Sequence, residues 1–248
     1  SYQDINARTV DRWAQEGWEC AVPISREAFA RAKAGEWQMV LTPNKPVPKA
    51  WFPPLAGCRV LGLASGGAQQ MPIFAALGAV CTVLDYSKKQ LESERMVAAR
   101  EGYDITIVRH DMTKPLPFAD GAFDLIFHPV SNCYIEEVRP LWQECYRVLC
   151  PCGILLAGMD VGYNYLFDDA ETTLTYRLPY NPLKDPALMA KAQAYDEGVQ
   201  FSHTLEEQLG GQLEAGFQLT HLYEDTNGEG RLKEYGVPSF VATRAIKA

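Results

Sequence analysis

The sequence predicts a three-layer α/β fold, with helices covering both faces of a mainly parallel sheet. Three observations carry that prediction. Between residues 59 and 159, short apolar runs alternate with segments of helical period. The first run breaks into small residues, Arg59-Val-Leu-Gly-Leu-Ala-Ser-Gly-Gly-Ala68, a strand-to-helix turn where bare backbone can approach a ligand closely. The next two runs each end in an acid, Asp85 and Asp111.

Taken in order, residues 4–34 read as helical, with a break at Pro23 and Ser25 placed to cap a second helix. Five prolines between 42 and 57 force an extended connector, packed down by Trp51 and Phe52. The alternating core follows: strand 59–64, helix 67–77, strand 79–84, helix 87–101, strand 104–109, a turn-rich stretch 114–121, strand 123–128, helix 135–149 and strand 153–159. After Asp160 the rhythm changes to aromatic, acidic and proline-rich segments. An insertion near the carboxyl ends of parallel strands is where such folds place a substrate-facing lid. A helix over 204–215 stops at Gly216, and strand-like runs 217–224 and 237–246 close the chain. The organisation expected is one domain, 1–248: an N-terminal helical cap and connector (1–57), a cofactor-binding core (58–160), a lid (161–203) and a C-terminal helix with strands (204–248).

A net charge of −8 over 248 residues works against a long nucleic-acid partner, because phosphate binding needs a basic surface; a small substrate fits better. No apolar stretch is long enough to span a bilayer, and the first residues lack the basic and apolar regions of a signal peptide, so membrane insertion is not expected and the location expected is cytoplasmic. The seven scattered cysteines read as reduced thiols. Cys150-Pro-Cys152 lacks the second pair that would complete a zinc tetrahedron, so no metal is expected.

An acid at position 85 can accept both hydroxyl protons of a ribose, with Tyr86 beside the nucleoside; the bland alternative is an N-cap for the next helix, a task open to Ser87. Asp111 can accept from an adenine amino group while Met112 packs on the ring, or Asp111 can cap a turn at Thr113.

With Leu116-Pro-Phe118, Phe123-Asp-Leu-Ile-Phe127 and Tyr146-Arg-Val-Leu-Cys-Pro-Cys-Gly153, these pieces resemble the class I S-adenosylmethionine-dependent methyltransferases of the small-molecule group that includes the ubiquinone and menaquinone biosynthesis enzymes. The resemblance implies a Rossmann-like methyltransferase sheet of seven strands with the last antiparallel, and S-adenosyl-L-methionine as cofactor. It further implies that Ala64, Ser65, Gly66 and Gly67 hold the methionine part through backbone groups. Asp85 and Tyr86 would then serve the ribose, Asp111 and Met112 the adenine, and His128 would line the transfer site. The family's first-motif acid is Gly62 here, and two customary glycines are Ala64 and Ala68, so Gln69 or Gln70 is expected to reach the amino-acid end.

If the acceptor must lose a proton, the catalytic candidates are His128, His203 and Tyr134, whereas His110 and His221 read as structural. The run His128-Pro-Val-Ser-Asn-Cys-Tyr134 lacks the [D/N]-P-P-[Y/F] pattern of enzymes that methylate nucleic-acid amino groups. Two alternatives stand beside this reading. An NAD(P)-dependent oxidoreductase would want a third glycine in the first turn. A catalytically silent metabolite-binding module of the same fold would tolerate the altered turn.

Overall fold

The computed structural model describes residues 1–248. Its centre is a seven-stranded sheet: β1 (Arg59–Leu63), β2 (Val80–Asp85), β3 (Ile105–Arg109), β4 (Phe123–His128), β5 (Leu149–Asp160), β6 (Phe217–Asp225) and β7 (Phe240–Lys247), in the order β3-β2-β1-β4-β5-β7-β6. Strands β1 to β5 pair in parallel, and β7 runs antiparallel to both β5 and β6, as expected. Side chains alternate across the sheet. Leu61, Leu63, Ile126 and Leu155 face one core with Trp142 and Val148; Val60, Leu125, Phe127 and Leu156 face the other with Met71 and Phe74.

The helices are α1 (Tyr2–Gln15), α2 (Arg26–Lys33), α3 (Met71–Ala76), α4 (Lys88–Glu101), α5 (Arg139–Val148), α6 (Pro186–Tyr195), α7 (Gly211–Ala215) and the single turn α8 (Arg231–Glu234). Ser25 caps α2, its Oγ accepting the Ala28 N–H at 3.1 Å. Three predicted helices shorten for local reasons. The segment expected to start at 67 begins at Met71, because Ala64, Gly67 and Ala68 all sit at positive φ and the helix can start only where Pro72 occupies its first turn. The segment expected from 135 begins at Arg139, after a 3₁₀ turn at Asn132–Tyr134 and an extended Ile135. That over 204–215 winds as a π-turn, Glu206–Gly210, before α7.

Two peripheral segments close over the carboxyl ends of β1 to β4. The connector is fixed by Trp51, buried against Tyr223, with its carbonyl accepting from Arg244 Nε at 2.9 Å. Helix α1 is tied to the segment 161–203 expected to form a lid: the buried Asn6 amide donates to the carbonyls of Tyr134 (3.1 Å) and Val199 (2.9 Å), and its Oδ1 accepts the Val199 N–H at 2.6 Å. No helix is long and apolar enough to cross a membrane.

Candidate active site

The strand order reverses between β1 and β4, which leaves a crevice at the carboxyl ends of the strands. A cavity of about 1020 Å³ lies there. Ala64, Ser65, Gly66, Gln69, Gln70, Asp85, Tyr86, Asp111, Met112 and Tyr134 all line it.

The turn after β1 is held from below. The Gly66 N–H donates to Asp85 Oδ2 at 3.0 Å, and the Ser87 N–H donates to Asp85 Oδ1 at 2.9 Å. Ser87 Oγ accepts the Gln90 N–H at 3.1 Å, so Ser87 caps α4 and Asp85 is left to face the cavity. Burial raises the Asp85 carboxyl, against the pull of those backbone donors. Each oxygen keeps a lone pair for a ligand hydroxyl. Gly66 cannot carry a side chain: a Cβ there would lie 2.7 Å from Gln90 Cβ and 2.9 Å from Asp85 Oδ2. Asp111 both caps and opens. Its Oδ1 accepts from the Thr113 N–H (2.9 Å) and Oγ1 (2.8 Å), while Oδ2 has no protein partner.

A ribose-and-purine ligand fits these residues: a carboxylate held at one strand end, a second with a free oxygen at the next, Met112 for the ring, and bare backbone at Gly66. At the amino-acid end, Gln69 is committed elsewhere. Its Nε2 donates to the carbonyls of Glu19 (2.7 Å) and Val22 (3.0 Å), tying the N-terminal segment to the turn. Gln70 Oε1 accepts from Ser65 Oγ at 3.1 Å, so of the two glutamines Gln70 is the one whose side chain sits with the turn. The position of the family's acid holds no side chain at all; a Cβ on Gly62 would lie 2.4 Å from Met71 Sδ.

Several expected residues turn away. Gly67 is enclosed, its N–H donating to the Gln90 carbonyl at 3.1 Å, and it shapes the turn without lining the cavity. His128 is 0% exposed and is corrected to a core residue: Nδ1 donates to the Leu63 carbonyl (2.8 Å), Nε2 meets the Asn132 side-chain amide (2.8 Å), and the ring packs edge-on to Trp142. His203 is likewise buried, with Nε2 at 3.0 Å from the carbonyls of Asn132 and Ile135. Burial lowers both imidazoles, so each is neutral at pH 7; both ring nitrogens of His128 are engaged inside the core, and His203 spends its Nε2–H on two backbone carbonyls. Neither lines the cavity: His128, the last residue of β4, faces the Trp142 side of the sheet, and His203 is turned toward the backbone of Asn132 and Ile135. Tyr134 does line it. Burial raises its phenol well above the ordinary value, so at neutral pH it carries its proton.

The far half of the cavity comes from residues that the sequence did not single out: Thr42 and Asn44 of the connector, Ser131, Glu171 of the 161–203 segment, and the loop 227–229. Glu171 joins the last two. Its Oε2 accepts the Leu232 N–H at the start of α8 (2.6 Å), and Asn227 Nδ2 donates to its Oε1 at 3.5 Å.

Comparison with known proteins places this architecture. A family model described as a methyltransferase domain matches residues 61–157. The chain is 41% identical to the uncharacterized methyltransferase YbaJ of Bacillus subtilis (strain 168), over 98% of this chain and 97% of that one. It is 35% identical to the demethylmenaquinone methyltransferase of Clavibacter sepedonicus over 40% of each chain. An S-adenosylmethionine-dependent methyltransferase structure from Mesorhizobium loti shares the fold with a TM-score of 0.62 at 20% identity, covering 80% of this chain and 94% of that one. The chain belongs to the class I S-adenosylmethionine-dependent methyltransferases. Its cofactor is S-adenosylmethionine and its activity is methyl transfer.

Proposed function

We propose that the acceptor is a small molecule without negative charge, methylated in the half of the cavity formed by the connector, Tyr134, Glu171 and the 227–229 loop. One observation supports this most. No lysine or arginine lines the cavity, whereas Glu19, Asp85, Asp111, Glu171 and Glu229 do. A phosphate or carboxylate on the acceptor would enter a field of its own sign with no cation to pair with, and the same field disfavours a nucleic acid. An amine or an uncharged hydroxyl or ring compound meets no such penalty.

The bound cofactor supplies an electrophilic methyl on its sulfonium, so this chain's task is to hold, align and dehydrate. Ala64 to Gly66, Asp85 and Asp111 seat the nucleoside and methionine parts; Tyr134 donates a hydrogen bond to the acceptor; the Glu171 carboxylate, fixed by the Leu232 N–H, is the group placed to take a proton from a hydroxyl or ammonium. The N-terminal segment and lid exclude water. A cytoplasmic location is part of the same reading, supported by seven cysteines that are all free thiols.

The test is a transfer assay with methyl-labelled S-adenosylmethionine and metabolite extract separated by charge. Label should appear in the neutral or cationic fraction. Label confined to phosphorylated or carboxylated products contradicts the proposal.

A further inference from the structure

The turn between β1 and α3 keeps its shape with alanine at two left-handed positions, Ala64 (φ +48°) and Ala68 (φ +57°), a conformation that costs a non-glycine residue free energy and needs support. The support comes from α4. Glu94 is fully buried beneath the turn, and its Oε1 accepts the Ala68 N–H at 2.8 Å. Its Oε2 has no partner. One helical turn earlier Gln90 lines the cavity, and its carbonyl accepts the Gly67 N–H at 3.1 Å. Gln90 Oε1 is also buried without a partner. The two orphaned oxygens lie one turn apart on the same helix face, and a proton on the Glu94 carboxyl would let one bond serve both. Burial pushes the Glu94 carboxyl up to about 8, with the nearby Asp85 charge adding to the shift, so at neutral pH Glu94 is a neutral acid with an O–H to donate.

We propose that Glu94, as its neutral acid, and Gln90 together form the polar support of the cofactor turn, the carboxyl O–H donating to Gln90 Oε1 while Oε1 of Glu94 holds Ala68. Glu94 is a positioning residue: it acts through Ala68 and Gln90, and it does not line the cavity. The groups facing it are Asp85 and Cys81 from β2 and Tyr103 from the loop before β3. Burial pushes the Cys81 thiol up to about 12 and raises the Tyr103 phenol further, so both stay neutral while Glu94 titrates, leaving Asp85 as the neighbouring charge. Because the folded-state value is raised above that of a free carboxyl, the support is complete at low pH and is lost as the pH rises through about 8. Ionisation would place a second carboxylate beneath a turn that Asp85 already serves.

The experiment is isothermal titration of the full chain with S-adenosylhomocysteine from pH 6.5 to 9.5, comparing the native chain with Glu94→Gln. Glutamine at 94 can accept from Ala68 and donate to Gln90 without titrating, so it mimics the neutral acid. Native affinity should match that of Glu94→Gln at pH 6.5 and fall about tenfold below it at pH 9.5. Parallel profiles for the two chains would overturn the proposal. So would a Glu94→Gln chain that folds but has lost affinity at pH 6.5.

Discussion

The two halves of the cavity are built in opposite ways. On the cofactor side, Gly66, Asp85, Asp111 and Met112 stand within three residues of strand ends, and backbone N–H groups of these short turns hold the carboxylates in place. On the acceptor side, the wall is assembled from the connector, the lid and the 227–229 loop, held by long-range bonds such as Asn6 to Val199 and Glu171 to Leu232. A binding site written into a local turn withstands change elsewhere. One assembled from distant segments depends on its fastenings, and is the half free to vary with the acceptor.

The largest expected effect comes from trying to make the cofactor side conventional. Gly62→Asp, which restores the family's acid, should destabilise the protein by on the order of 3 kcal/mol, because the new side chain meets Met71 Sδ in a fully buried core. Chemical denaturation measures it; a Gly62→Asp chain of unchanged stability and tighter cofactor binding would show that the turn lacks something it needs.

The fastening of the acceptor side should matter next. Asn6→Ala strands the buried Val199 N–H and should cost about 2 kcal/mol. The loss should show as faster proteolysis of α1 and the lid, with the sheet unaffected. Uniform destabilisation with no change in the cleavage pattern would mean that cap and lid do not form a separable cover.

A smaller effect separates the histidines from catalysis. Both folded-state values are lowered by burial, so neutral His128 and His203 stabilise the fold at pH 7, and this contribution falls away as the pH drops below the ordinary histidine value. His128→Gln should flatten the acid side of the thermal stability profile while leaving affinity for S-adenosylhomocysteine within about twofold. A collapse in affinity in a stable variant would return His128 to the site.

The same contrast explains what could be read from the chain. Seven strands, their order of occurrence and the cofactor-side acids were legible because apolar runs, small-residue turns and strand-end carboxylates leave local signals. The histidines were misplaced because a residue type says nothing of direction: alternation along β4 sends His128 into the core beside Trp142. Gln69 was offered as a ligand contact, yet its amide is spent on Glu19 and Val22, partners about fifty positions earlier in the chain. Glu171 and Asn227 carried no motif. Only the folded lid brings them together, and the support at Glu94 reads in sequence as one more charged residue on an amphipathic helix.

We assign the seat of the cofactor to Asp85 and the turn above it. Titration of the native and Asp85→Ala chains with S-adenosylhomocysteine tests that assignment directly, since alanine removes the ribose acceptor and frees the Gly66 and Ser87 N–H groups at once. Saturable binding by the native chain and a loss of about a hundredfold or more in the variant are expected. Equal affinity in both chains would contradict it.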